Sequence, residues 1–139
     1  MNLNKTVFRG HAGPGVPVEG LALVAADNFS ARYDLDLAKG IFSRPTHKLV
    51  GQSYVGKVLV LNIAKGGVAT AWMLRDMVER GLAPKALILN SANPIMAQGA
   101  AFAGLPLIDR FDVDITGVVR SGDLVDVDPP AGTVSIRGG

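Results

Sequence analysis

The middle of the chain constrains its fold most strongly. Lys57-Val58-Leu59-Val60-Leu61-Asn62-Ile63 is a nearly unbroken apolar run, the pattern of a strand buried on both faces. Ala64-Lys65-Gly66-Gly67 interrupts it, and Val68 to Arg80 then carries helical spacing. That spacing predicts Val68, Ala69, Trp72, Met73, Met77 and Val78 near one side of the helix. Arg75, Asp76, Glu79 and Arg80 fall on the other. Gly81 stands where a helix C-terminal glycine belongs, and Pro84 prevents continuation. Ala86-Leu87-Ile88-Leu89 repeats the buried-strand pattern. Asn93-Pro94 opens a second helix, a cap residue followed by proline at the first helical position. This helix, Pro94 to Ala103, is rich in Ala and Gly and can pack closely; Gly104 ends it. Leu105-Pro106-Leu107-Ile108 is a last short strand. Such a β-α-β-α-β run demands a parallel sheet.

The flanks have a different style. Thr6 to His11 has strand character, Gly13-Pro14-Gly15 forces a turn, and Glu19 to Ala25 reads as a buried strand. Asp27 to Asp36 is polar and irregular, Lys39-Gly40 is a turn, and Ser43 to His47 is a loop. Beyond the turn at Ser121-Gly122-Asp123, Leu124 to Asp128 alternates apolar with acidic residues. Pro129 to Gly132 turns the chain again and Thr133 to Ile136 pairs back. With 139 residues and no linker or repeat, the expectation is a single domain over 1–139. Its class is α/β, with a parallel α/β layer on a β-rich hairpin base.

Several function classes fall away at this point. The net charge is only +2, the basic residues are scattered, and aromatics are 6%, so no nucleic-acid surface is expected. No run approaches the roughly 20 apolar residues that cross a bilayer. No secretory pattern is readable from Met1 to Lys5 onward, which leads to the expectation of a cytoplasmic protein. Cysteine is absent, so this chain can supply neither a thiolate nucleophile nor cysteine ligands to an iron–sulfur cluster. No metal site is expected on it.

The best place for chemistry is the turn Lys65-Gly66-Gly67, between a strand and a helix start. Free N–H groups and the positive end of the helix dipole meet there, and Lys65 adds a full charge, so a carboxylate or phosphate is stabilised. A tight strand-to-helix turn also needs glycines for geometry alone. Thr70 in the first helical turn and Asn62 in the preceding strand are further candidates. Asn90 and Ser91 stand at the carboxyl end of the next parallel strand, where open α/β sheets bind ligands. Asn93 reads first as a cap. Of the two histidines, His47 beside Arg44 and Pro45 is the better substrate contact, and Ser30 sits in the polar cluster with Arg32, Tyr33 and Asp34. No complete catalytic set is present.

Taken together, these stretches resemble the small-subunit (swivel) family of aconitase X. The likeness lies in Val18 to Val24, in Pro45-Thr46-His47 through Gly56-Lys57-Val58-Leu59-Val60, and in Ala86 to Leu89. It continues in Pro94 to Ala100, Ala103 to Asp109, and Ser121 to Val127. The resemblance implies a swivelling β/α/β domain paired with a large subunit that holds an iron or iron–sulfur centre. It also implies a hydro-lyase reaction on a small anionic substrate, such as cis-3-hydroxy-L-proline or 5-phosphomevalonate. The family loop commonly reads Gly-Gly-Arg-Gly-Ser-Ser, and its serine is the catalytic group that the family implies. Here Lys65 stands at the arginine and Gly66 at the next glycine, while Gly67 and Val68 occupy the serine positions. Thr70 is the nearest hydroxyl, so any catalytic role on this loop falls to it. Phe29 to Asp34 also departs from the family's aromatic-Gly-Gly pattern.

Two other readings share the pattern. The phosphohistidine swivelling domain closes on a similar hairpin but needs a histidine on the glycine loop, where this chain has none. A non-catalytic binding or assembly module of the same fold needs no catalytic serine.

Overall fold

The computed structural model describes residues 6–137; Met1 to Lys5, read above for a leader, lie outside the described residues. In chain order the elements are β1 (Thr6–Arg9), β2 (Val18–Val24), β3 (Leu35–Asp36), β4 (Ile41–Phe42), β5 (Val58–Ala64) and α1 (Val68–Glu79). They continue with β6 (Ala86–Ala92), α2 (Pro94–Ala103), β7 (Leu107–Ile108), α3 (Ile115–Val118), β8 (Leu124–Asp128) and β9 (Thr133–Ile136).

Seven strands form one mixed sheet in the order β1-β9-β8-β2-β5-β6-β7. β2, β5, β6 and β7 run parallel, as the central β-α-β-α-β pattern predicts. The β8–β9 hairpin joins antiparallel to β2, and β1 closes that edge against β9. The expected parallel layer and hairpin base are therefore halves of one continuous sheet.

The two-residue period of β5 and β6 divides the core in two. Leu59, Leu61, Leu87 and Leu89 face α1, α2 and the 27–55 segment. Val58, Val60, Ala86 and Ile88 face Ile115, Val119 and the inner side of the hairpin. The segment from Asp27 onward is less irregular than its composition suggests. Phe29, Phe42, Leu49 and Tyr54 are buried within it, and β3 and β4 pair as a short two-stranded sheet.

Helix α1 presents a different face from the one its spacing suggests. Thr70, Leu74 and Met77 are buried, whereas Val68 and Trp72 are exposed. The reason is the neighbour: α1 must face both the sheet and α2. A Cβ on Gly99 of α2 would stand 2.7 Å from the Ala71 Cβ, so only glycine permits this approach. Trp72 is left on the outside, edge-to-face with Phe102 of α2 at 5.2 Å.

Candidate functional site

Three chain segments lie side by side at the carboxyl end of the parallel strands. The Phe29 N–H donates to the Ile63 carbonyl, and the Lys65 N–H donates to the Phe29 carbonyl, both at 2.9 Å. Ala64 is paired with Ala92 across β5 and β6. Ser30, the Lys65 turn and Asn93 therefore share one edge, as sheet topology places ligand sites.

Gly66 makes the turn possible. Its φ is +146°, and a Cβ there would meet the Thr70 side chain at 2.6–2.9 Å. Gly67 is the N-cap of α1 and provides no side-chain cap, and the first turn holds no acidic residue. The opening amides of a twelve-residue helix are thus left without a side-chain acceptor, beside an exposed Lys65 that has no ion-pair partner among the described residues.

The neighbouring helix start is closed. Asn93 accepts the Met96 N–H at 2.8 Å, and its own amide donates to the Gly66 carbonyl at 3.0 Å. The predicted cap is therefore also a strut for the glycine turn. Asn93→Ala is expected to cost about 1 kcal/mol of stability, measured by urea denaturation. An unchanged midpoint would mean that the cap and the strut contribute nothing.

Other sequence candidates divide between mouth and scaffold. Ser91 is exposed at the end of β6, which runs three residues further than the apolar pattern. Asn90 is accordingly a strand residue. Its amide nitrogen donates to Asn62 Oδ1 (3.0 Å) and Asp114 Oδ1 (2.8 Å), and its oxygen accepts the Ile115 N–H (2.9 Å). Asn62 and Asn90 thus fasten α3 to the sheet. The hydrogen bonds from Thr116 and then Asn90 hold the Asp114 carboxyl below its ordinary range.

Two expectations need correction. His47 is buried against Phe42, ring centroids 4.5 Å apart. Its Nδ1 accepts the Leu49 N–H (3.0 Å), so Nε2 carries the proton and donates to the Asn28 carbonyl (2.8 Å). With both nitrogens engaged and the ring out of reach, His47 organises the 27–55 loop rather than touching substrate. Thr70 is only 4% exposed, packed beneath Gly66, which takes it out of the role of base. Ser30 lies at this sheet edge beside Phe29: its N–H donates to Asp34 Oδ2 (2.9 Å), and buried Asp34 is paired with Arg44 Nε at 2.6 Å. Asp34 is a structural anchor that its polar neighbourhood concealed in the sequence.

Among the described residues, no group of three or more His, Cys, Asp or Glu side chains could hold a metal ion. No helix among them is long and apolar enough to cross a membrane.

A family model for the aconitase X swivel domain matches residues 7–136. The chain belongs to the aconitase X swivel-domain family. It is 32% identical to the phosphomevalonate dehydratase small subunit of Methanocella arvoryzae, over 93% of this chain and 98% of that one. The corresponding subunit of Methanothrix thermoacetophila is 35% identical over 85% of each. The crystal structure of Thermococcus kodakaraensis aconitase X (holo-form) matches with a TM-score of 0.87 at 30% identity. That match covers 94% of this chain and 98% of that one. The expectations of an aconitase X swivel fold and of a dehydratase subunit are met. In this swivel domain an apolar patch of Val68, Trp72, Ile95 and Phe102 starts directly beside the glycine turn.

Proposed function

We propose that this swivel domain is the small subunit of a two-subunit dehydratase, and that its Lys65-Gly66-Gly67 turn receives the phosphate of a phosphomevalonate-type substrate. The observation that carries the reading is the uncapped amino end of α1 beside exposed Lys65, which has no ion-pair partner among the described residues, against the capped end of α2. Helix amides and a cation at one point are suited to a phosphate. The relatives' names supply the substrate class and the large partner; none of those cited names cis-3-hydroxy-L-proline.

The reading assigns this chain binding and orientation. Ser30 and Ser91 flank the turn as hydroxyl contacts, and Asn93 holds Gly66 in place. Proton removal and the iron or iron–sulfur centre are assigned to the large subunit, because Thr70 is closed off and the chain holds no cysteine. The exposed Trp72–Phe102 patch supports a chain that works against a partner. A cytoplasmic complex is the setting in which such a substrate is met.

Lys65→Ala in the assembled enzyme is expected to raise KM for phosphomevalonate about tenfold with little change in kcat, since it removes one charge-assisted contact made equally before and during reaction. Lys65→Arg should recover most of the loss. An unchanged KM in the alanine variant would remove Lys65 from the site.

A further inference from the structure

We infer that Arg110 is a second anion-binding residue of this mouth, placed to take the carboxylate of a substrate whose phosphate rests on the Lys65 turn. The inference rests on the dehydratase reading above. Among the described residues Arg110 alone has a positive φ without being glycine, at 57°. Turn geometry by itself would select glycine or asparagine at such a position, so an arginine there points to a use for the side chain.

Its surroundings show what the use is. The Arg110 N–H donates to the Asn90 carbonyl at 3.0 Å, which fixes the backbone just past β7 at the carboxyl edge of the sheet. Buried Asp109 holds Arg110 Nε through Oδ1 at 3.2 Å and accepts the Ala92 N–H through Oδ2 at 3.1 Å. Ala92 is paired with Ala64, and Asn93 next to it grips Gly66. A continuous line of contacts thus leads from the guanidinium to the Lys65 turn. The Arg110 side chain is 61% exposed, and its terminal nitrogens have no partner among the described residues. They are a free fork of the kind that binds carboxylate in two-point fashion.

The separation suits a substrate charged at both ends. β6 lies between β5 and β7, and Arg110 stands level with Asn90 while Lys65 lies three residues further along, so their backbones are roughly 14 Å apart, a span that two long side chains can shorten. Arg110 also borders a cavity of about 290 Å³ on the β7 side, between Gly13–Pro14 and the start of α2, which leaves room around its side chain but does not reach the Lys65 turn. Asp109 does not repel an incoming anion strongly, because its own charge is engaged by Arg110 and by the Ala92 amide.

The test uses the complex with its large subunit, phosphomevalonate, and three variants. Arg110→Ala and Arg110→Gly are each expected to raise KM about tenfold or more, with kcat changed little. Arg110→Lys should restore only part, since an ammonium lacks the fork. Arg110→Gly is the decisive variant: both variants lose the contact to Asp109, but glycine relaxes the backbone, so it should melt no lower than the alanine variant while binding as poorly. If KM in both variants stays at the wild-type value, the assignment of Arg110 is overturned and the dehydratase reading stands. Arg110→Gly binding normally while Arg110→Ala does not would show a backbone effect and overturn it equally. A wild-type complex that neither binds nor dehydrates phosphomevalonate overturns the reading beneath it, and the Arg110 assignment with it.

Discussion

Gly66→Ala is expected to raise KM for phosphomevalonate by at least about a hundredfold in the assembled dehydratase and to lower the stability of the chain measurably. The added methyl would lie 2.6–2.9 Å from the Cβ, Cγ2 and Oγ1 of Thr70. Thr70 is buried and cannot swing away, so the backbone of the turn must move. Alanine is also strained at the Gly66 φ of +146°. The strain and the overpacking each cost about 1–3 kcal/mol. Relieving them shifts the first amides of α1 and breaks the grip of Asn93 on the Gly66 carbonyl, so the contacts proposed for the phosphate are lost together. Substrate binding and urea denaturation on the same variant check this. Wild-type KM would show that the turn is not where substrate binds, and unchanged stability would show that the turn yields freely.

Raising the pH from 10 to 12 is expected to remove about 2 kcal/mol of stability through Tyr54, a loss that Tyr54→Phe abolishes. Tyr54 is fully buried, edge-to-face with Phe42 at 5.9 Å. Burial, followed by the nearby Asp36 carboxylate, pushes its hydroxyl up to about 12. Between pH 10 and 12 the unfolded chain has lost this proton and the folded chain retains it, so unfolding is increasingly favoured as pH rises. Below pH 10 the group is neutral in both states and contributes no pH dependence. The hydroxyl also has no hydrogen-bond partner among the described residues. Tyr54→Phe should therefore be at least as stable at neutral pH, by up to about 1–3 kcal/mol, with its packing retained. Denaturation midpoints of both proteins across this range isolate the contribution of Tyr54. A variant clearly less stable at pH 7 would mean that the hydroxyl is satisfied.

The sheet's central strands, its two crossover helices and the closing hairpin were all legible in the sequence, because each is a local pattern. Continuous apolar runs, the Asn93-Pro94 start, the Gly81 and Gly104 stops and the two-residue alternation of Leu124 to Asp128 depend only on near neighbours. The glycine turn with Lys65 was legible for the same reason, and the family resemblance carried its meaning further.

What only the tertiary structure decided concerns partners distant in the chain. Helical spacing could not say which side of α1 meets the sheet once α2 competes for contact, so Leu74 is buried and Trp72 is not. His47 was a plausible substrate contact until Asn28, Leu49 and Phe42 closed around it. Thr70 was the nearest hydroxyl by sequence, yet the helix start places it under Gly66. Arg110 carried no sequence signal at all, because its position at the same sheet edge as Lys65 arises from strand order and its strain from a backbone angle. Sequence determines the elements, since their causes lie within a few residues. The sheet's assembly determines which side chains face the mouth, since that depends on packing between segments far apart in the chain.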